Sequence, residues 1–367
     1  MGSGRIGIDA TPLLGPRTGV GVYVEHLLAG LAGARPDVVA TAFTLRGASA
    51  LRAAVAEVAP TARVRVRPAP ARVLRTAWLR TDHPTVGLLT GAVDLFHGTN
   101  FVLPPTGRAR GVVTVHDLSY VLHPDTVTRD SLEYQQLVPR GLRRAAAICT
   151  PSEAVAAEVV AQYDIDPARV FATPLGVDAS WSTIPAGRPE GVPDRPYLLA
   201  VGTLEPRKNL PLLVAAHGEL WRSGVRVPLL LTGSPGWGPA LAVDAAPEGS
   251  VRLLGYRPRA ELQQLVAGAA ALAFPSRYEG FGLPPLEALA AGTPVVASDL
   301  PVLREVLGGH ARFVAAGDAA AWTEALRAVL VDPPSAGARA TGRDHAAGFT
   351  WARTVERTLA AYAAATT

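Results

Sequence analysis

The sequence predicts an α/β fold of parallel sheets in two domains, and three observations carry that expectation. Short apolar, strand-like runs alternate with Ala/Leu-rich helical stretches almost from end to end, the pattern of βαβ units. The alternation falls into two series, separated by a Pro-rich polar stretch from Ile184 to Pro196 that breaks the periodicity and reads as a linker. Polar residues collect just after the strand-like runs, where open parallel sheets bind their ligands.

In chain order, Arg5 to Ala10 reads as the first strand, and Gly15 to Tyr23 as a glycine-bearing loop that opens a helix to about Ala32. Further strands are expected at Val38–Leu45, Val64–Pro68, Asp94–His97, Gly111–Val115, Ala147–Thr150 and Val170–Thr173. The second series begins at Tyr197–Val201. It continues at Val227–Thr232, Val251–Leu254, Ala269–Phe274, Pro294–Ser298 and Ala311–Val314. Ala319–Leu330 and Thr350–Ala365 read as terminal helices.

At 367 residues and 49% hydrophobic, the chain can bury at least one full core, and its length favours two domains. The formal charge of +4 comes from dispersed arginines, without a run of five or six basic residues. Aromatics are only 6%, and zinc-finger spacing and RNP-type aromatic patterns are missing, so no nucleic-acid partner is expected. The excess charge suits phosphorylated ligands and an anionic membrane face. One cysteine, Cys149, rules out an intrachain disulfide framework and fits a reducing compartment. Arg5 and Asp9 interrupt the apolar core a signal peptide needs, and no stretch approaches the ~18 apolar residues of a membrane span. The expectation is a cytoplasmic protein without an integral membrane segment, with peripheral contact at the inner membrane face left open.

Of the 35 Lys plus Arg residues only Lys208 is a lysine. A composition rich in Ala, Arg, Gly and Pro places Arg wherever a generic positive charge will do. A retained lysine marks a place where a compact ammonium must reach one point between phosphate oxygens. It sits in Val201-Gly202-Thr203-Leu204-Glu205-Pro206-Arg207-Lys208-Asn209, directly after a strand-like run.

The most informative segment is Glu279-Gly280-Phe281-Gly282-Leu283-Pro284-Pro285-Leu286-Glu287. It joins an apolar strand to a helix that Gly292 ends, and the two prolines suit a first helical turn, where the missing N–H costs nothing. Backbone N–H groups and a helix N-terminus are therefore aimed beyond the strand, an anion site with a phosphate as natural occupant. Glu279 in the loop and Glu287 about one turn inside the helix flank it, which suits a sugar joined to a phosphate. Read blandly, Glu279 is a solvated loop carboxylate and Glu287 only complements the helix dipole; the lysine loop beside them favours function.

Together these segments resemble the retaining glycosyltransferases of the GT-B fold, group 4, over essentially the whole chain. His97, Asn100 and the His116-Asp117 pair also match the family's N-terminal domain. Leu204-Glu205-Pro206-Arg207-Lys208-Asn209 resembles its mannosyl- and rhamnosyltransferase branch. The resemblance implies two Rossmann-like domains facing each other across a cleft. Residues 1–184 would form the acceptor-binding domain and 185–349 the nucleotide-sugar domain, with a last helix, about 350–367, crossing back to the first. It further implies that Lys208 holds the diphosphate, that Glu279 contacts donor-sugar hydroxyls and that Glu287 binds the ribose. The N–H groups of Phe281, Gly282 and Leu283 would reach sugar and phosphate oxygens. His116 would meet the sugar's far hydroxyl, and Gly19 and Gly21 would let the backbone approach the diphosphate. Many members carry an arginine where this chain has Thr203; Arg207 is the residue placed to supply that charge. Tyr256 and Arg257 fall where a base could be read, and Asp117 either orients His116 or caps the next turn. Trp237 reads as loop packing.

The implied chemistry is transfer of a hexose with retention of configuration, by front-face attack, with Glu279 as a covalent nucleophile the alternative. Lys208, Arg207 and oriented N–H groups would neutralise the leaving diphosphate. No Asp-x-Asp pair follows a strand and no metal-ligand spacing occurs, so neither a metal nor another cofactor is expected. GDP-mannose is the donor expected first, with a dTDP-rhamnose- or UDP-sugar-dependent transferase, or a non-catalytic nucleotide-binding homologue, as alternatives. The acceptor is expected to be an oligo- or polysaccharide or a lipid-linked sugar. Arg72–Arg80 with Trp78 is the one short candidate for a lipid-facing helix.

Overall fold

The computed structural model describes residues 4–15, 17–35, 37–185, 187–243 and 246–367. One position of the predicted glycine loop, 16, and one of the predicted linker, 186, lie outside the described residues.

Seven strands form one sheet: β1 (Ile6–Asp9), β2 (Val38–Thr41), β3 (Arg63–Val64), β4 (Leu95–Gly98), β5 (Arg110–Thr114), β6 (Ala145–Thr150) and β7 (Val170–Ala172). Six more form a second: β8 (Leu198–Val201), β9 (Leu229–Thr232), β10 (Val251–Gly255), β11 (Ala271–Phe274), β12 (Val295–Ser298) and β13 (Arg312–Val314). The orders are β3-β2-β1-β4-β5-β6-β7 and β10-β9-β8-β11-β12-β13. The strand pairs are parallel throughout. Central strands such as β9 (Leu-Leu-Leu-Thr) and β12 (Val-Val-Ala-Ser) are buried along their length, as helices on both faces of a parallel sheet require. β3 stops at Val64, short of the predicted Pro68, where charged side chains alternate and a proline offers no N–H to the ladder.

Both sheets carry the same doubly wound order, so each reverses direction once: between β1 and β4, and between β8 and β11. Loops that leave neighbouring strands at such a reversal diverge and open a crevice beyond their carboxyl ends.

Helix α1 (Gly19–Ala34) follows a short 3-10 turn at Thr11–Leu14. The predicted loop from Gly15 to Tyr23 is therefore shorter than expected. The Thr18 carbonyl already accepts from the Gly21 and Val22 N–H groups at 2.6 and 3.1 Å, which places Gly19 and Gly21 in the first helical turn. α2 (Ala71–Trp78), α3 (Leu210–Arg222) and α4 (Leu283–Ala291) matter below. A helix over Ala336–Ala347 escaped the sequence reading because its stretch Ala-Gly-Ala-Arg-Ala-Thr-Gly-Arg has no large apolar residue to mark a face. The last helix, α5 (Trp351–Thr366), is capped by the Thr350 hydroxyl, which accepts from Arg353 N–H at 3.2 Å.

The chain divides into two compact units: Met1–Val121, Arg129–Gly176 and Thr350–Thr367 in one, Leu122–Thr128 and Val177–Phe349 in the other. The break after Gly176 comes before the Pro-rich stretch. Residues 177–184 belong with the second unit because Trp181 is buried and Ser180 Oγ accepts from Gln263 Nε2 at 2.7 Å. In the first unit α5 packs against α1, and a side chain at Gly30 would run into Val355. The Tyr362 hydroxyl of α5 lies 2.7 Å from His97 Nδ1, and Thr114 Oγ1 lies 2.7 Å from His97 Nε2 and 2.9 Å from the Tyr23 hydroxyl. Burial pushes His97 down to about 3, so it is a neutral core histidine that ties the returning helix to β4 and β5. The second unit's core runs from Leu198 and Leu213 to Trp322 and Leu326, closing α3 and the helix at Ala319–Val331 over the sheet.

Candidate active site

In the second unit the loops after β8 and β11 leave adjacent strands at the reversal point, which is why Lys208 and Glu279, 71 residues apart, meet. Gly202 has φ of +151°, and Gly233 lies so close that an added Cβ would sit 1.9 Å from the Gly202 carbonyl oxygen. Only glycines permit that approach. The chain then makes a 3-10 turn, Pro206–Lys208, ending at left-handed Asn209, whose Nδ2 donates to the Ala316 carbonyl at 2.8 Å. Arg277 N–H donates to the Arg207 carbonyl at 2.9 Å and holds the two loops together.

Lys208 extends over the Phe274 ring, 4.9 Å from its centroid, and its Nζ donates to Glu279 Oε1 at 2.6 Å. Arg207 bridges Glu205 at 2.8 Å and Glu279 at 3.2 Å. Two carboxylates and two cations thus balance in a largely buried cluster. Burial alone would raise the pKa of Glu279, but the adjacent Lys208 and Arg207 outweigh it and hold the carboxyl below the usual range. Glu279 is ionised at neutral pH, and Arg207 is committed to two carboxylates.

Gly282 caps α4 at φ of +97°, where a Cβ would strike Leu303. The N–H groups of Phe281, Gly282 and Leu283 make no hydrogen bond among the described residues. Pro284 and Pro285 have none to offer, so the donors left at this helix start converge on the few that precede them. Glu287 keeps a partly exposed side chain, yet its carboxyl is set in dense surroundings that push its pKa up to about 7. The Arg259 guanidinium and the Trp181 indole oppose that rise; Trp181 Nε1 favours the carboxylate without a hydrogen bond of good geometry. Arg259 is itself held by Asp178 at 3.3 Å.

The other predicted residues are dispersed. Tyr256 and Arg257 follow β10, two strands from β8, with Tyr256 exposed and Arg257 bonded to Glu261 at 3.1 Å; the structure does not bring them to the Lys208–Glu279 pair. Trp237 donates to the Thr126 carbonyl at 2.8 Å, a packing contact. Gly19, Gly21, His116 and Asp117 belong to the first unit. His116 Nε2 lies 2.8 Å from the Thr99 carbonyl, which can only accept, so Nε2 carries the proton and Nδ1 is left as an acceptor. Burial lowers its pKa, against that hydrogen bond and the charge of Asp117, and keeps the ring neutral at pH 7. Asp117 caps the next turn, accepting from Ser119 N–H at 2.9 Å and its hydroxyl at 2.7 Å. Among the described residues no group of three or more His, Cys, Asp or Glu side chains could hold a metal ion, and no helix is long and apolar enough to cross a membrane.

Two family descriptions match the chain: "Glycosyltransferase Family 4" over residues 17–181 and "Glycosyl transferases group 1" over residues 195–332. The O-antigen chain mannosyltransferase B of Escherichia coli is 32% identical over 78% of this chain and 77% of its own length. The chain is a group 4 glycosyltransferase. A D-inositol 3-phosphate glycosyltransferase of Actinosynnema mirum is likewise 32% identical, over 97% of this chain and 95% of that one. In fold, this group 4 glycosyltransferase resembles the sucrose-phosphate synthase of Thermosynechococcus elongatus, with a TM-score of 0.74 at 19% identity over 98% of each chain. It also resembles Anabaena HepE with bound UDP-glucose, at a TM-score of 0.67 and 17% identity over 98% of this chain and 99% of that one. The fold is GT-B.

The sequence reading of this glycosyltransferase missed Glu205, Trp181 and Arg259. Glu205 carried a signal, since it lies two residues from Arg207. Trp181 reaches Glu287 only through the 3-10 turn Ala179–Trp181 packed against α4, which no spacing in the chain announces.

Proposed function

We propose that this group 4 glycosyltransferase moves a hexose, with mannose from GDP-mannose the first candidate, to a hydroxyl of a glycan acceptor, retaining the anomeric configuration and needing no metal. The observation that carries this reading is the Lys208–Glu279 pair beside the unpaired N–H groups that open α4, with Glu287 a turn further on. Lys208 exchanges part of its contact with Glu279 for a phosphate oxygen when donor binds, which frees Glu279 to accept from sugar hydroxyls. As the glycosidic bond breaks, negative charge grows on the diphosphate, where the Lys208 ammonium and the N–H groups of Phe281, Gly282 and Leu283 stabilise it. The leaving phosphate oxygen takes the proton of the attacking hydroxyl on the same face of the sugar. Arg207 supports the site by fixing Glu279 and adding positive charge beside Lys208, rather than by reaching the phosphate freely. His116 offers a neutral Nδ1 acceptor to a hydroxyl.

Mannose is supported by the mannosyltransferase name of the Escherichia coli relative. The inositol-phosphate transferase of Actinosynnema mirum, similar over nearly the whole chain, makes a phosphorylated cyclitol the second acceptor class. The test is incubation with GDP-mannose, dTDP-rhamnose and UDP-glucose in EDTA. Released nucleoside diphosphate and the anomeric coupling of the product are read by NMR. Turnover of GDP-mannose to an α-linked product supports the proposal. Turnover of another donor, or of none, replaces the mannosyl reading with the corresponding alternative, a non-catalytic homologue in the last case.

A further inference from the structure

Phe101, in the loop that follows β4, has a φ of +63°. The Val102 N–H donates across it to the Asn100 carbonyl at 2.7 Å, which makes residues 100–102 a γ-turn of the strained hand. A bulky side chain adopts that φ only at a cost. Glycine would take it freely, so what the position gains from phenylalanine is the ring. The turn is held on both sides. Phe101 N–H donates to the Thr114 carbonyl of β5 at 2.9 Å, and the chain folds back so closely that a Cβ at Gly98 would strike the Val102 carbonyl.

Held there, the ring stacks on Tyr134 at 4.9 Å and meets Tyr120 and His116 nearly at right angles, at 5.8 and 5.5 Å. Burial raises the Tyr134 phenol pKa against the charge of Arg75 on α2, so its stacking partner is a neutral ring. Trp78 of the same helix, the aromatic of the expected lipid-facing segment, is 2% exposed and turned inward. Tyr23 of α1 meets the His116 ring at 5.2 Å and 81°, its hydroxyl 2.9 Å from Thr114 Oγ1. The residue before the turn fixes the other side of the imidazole. Thr99 is fully buried and its hydroxyl donates to the Asp9 carbonyl at 2.5 Å, which anchors the Thr99 carbonyl that accepts from His116 Nε2–H at 2.8 Å. A proton fixed on Nε2 makes Nδ1 the acceptor, and two rings packed against the imidazole oppose the flip that would exchange them.

Backbone strain persists where the surroundings over-determine it, and it gathers where geometry serves function. We propose that Phe101 is a positioning residue of the transfer: its strained turn and its ring together hold His116 in the one orientation and tautomer that present Nδ1 to a donor-sugar hydroxyl. This rests on the transferase reading above and adds to it a residue that touches neither sugar nor phosphate.

The test compares the full chain with Phe101→Gly, Phe101→Tyr, His116→Ala and the Phe101→Gly/His116→Ala double variant. Each is assayed for nucleoside diphosphate released from GDP-mannose, dTDP-rhamnose and UDP-glucose. With the donor that wild type turns over, Phe101→Gly is expected to lose at least about tenfold in kcat, while the affinity for that donor's nucleoside diphosphate stays unchanged. Phe101→Tyr keeps the ring and should keep most of the activity. The double variant should be no slower than His116→Ala alone, because the two changes remove one interaction. Nitrogen-15 NMR at pH 7 should show His116 passing from the Nε2-protonated form to a mixture of tautomers in Phe101→Gly. Glycine suits the φ, so the fold should survive its loss of packing; Phe101→Leu gives the same comparison if it does not. Wild-type kcat in Phe101→Gly, losses that add in the double variant, or an unchanged His116 spectrum would each overturn the positioning role. If wild type is active and these comparisons fail, only this inference falls; if wild type turns over no donor, the transferase reading falls and takes it along.

Discussion

Replacing Glu287 with Gln is expected to make the protein more stable and less able to bind nucleotide. Burial lifts the Glu287 carboxyl from an ordinary 4.5 to about 7. The folded chain therefore holds this proton more tightly than the unfolded chain does. The resulting stability is full below pH 4.5 and is lost as pH rises through about 7. At pH 8 the folded protein carries an ionised carboxylate whose desolvation would cost up to about 3 kcal/mol. Because the side chain stays partly open to water and Arg259 lies nearby, a smaller figure of about 1–2 kcal/mol is expected. A neutral isostere removes that cost, which for a unit of this size is a rise in Tm of roughly 2–8 °C at pH 8. At pH 5 most of that difference should be gone. GDP affinity should fall about tenfold, since a charge-assisted bond to ribose becomes a neutral one. Thermal melts at the two pH values and a GDP titration check both halves. An unchanged or lower Tm at pH 8 would refute the claim that Glu287 is held against its own stability for a ligand.

Lys208→Arg should lower turnover roughly a hundredfold, because the planar fork cannot occupy the slot where the lysine stem passes Gly202 and Phe274; steady-state kinetics read this directly. Gly282→Ala should cost about 1–3 kcal/mol in denaturant unfolding, its φ of +97° and the nearby Leu303 both opposing a Cβ. Glu279→Gln should destabilise the protein at pH 7 by about 2–4 kcal/mol, leaving Lys208 and Arg207 short of an anion. Since the Glu279 pKa is lowered, this difference is present above pH 4.5 and should fade as pH falls through the depressed value, which melts on the acid side measure. Nitrogen-15 NMR at pH 7 should find His116 neutral and protonated on Nε2; an imidazolium there would contradict the lowered pKa that desolvation gives it.

Much of the fold was legible because a parallel sheet buries its strands on both faces. Runs such as Leu229–Thr232 and Ala271–Phe274 then have no polar alternation to confuse them with surface segments. The loop from Glu279 to Glu287 and the lone Lys208 were legible for a different reason, since their chemistry lies in residue type and short spacing. What joins them is topology: only the β8–β11 adjacency brings Lys208 to Glu279, and sequence can suggest that order without showing it. Arg207 shows the limit, being placed to replace a missing charge yet held between Glu205 and Glu279.

The central claim is that Lys208, Glu279, Glu287 and the start of α4 form a nucleotide-sugar site. The most direct measurement is calorimetric titration of GDP, UDP, dTDP and ADP, in EDTA, into wild type and Lys208→Ala. One nucleotide, GDP first, should bind wild type and lose at least tenfold in affinity, about 1.4 kcal/mol, in the variant. Binding that the variant leaves intact would place the diphosphate elsewhere, and no binding by wild type would contradict the site altogether.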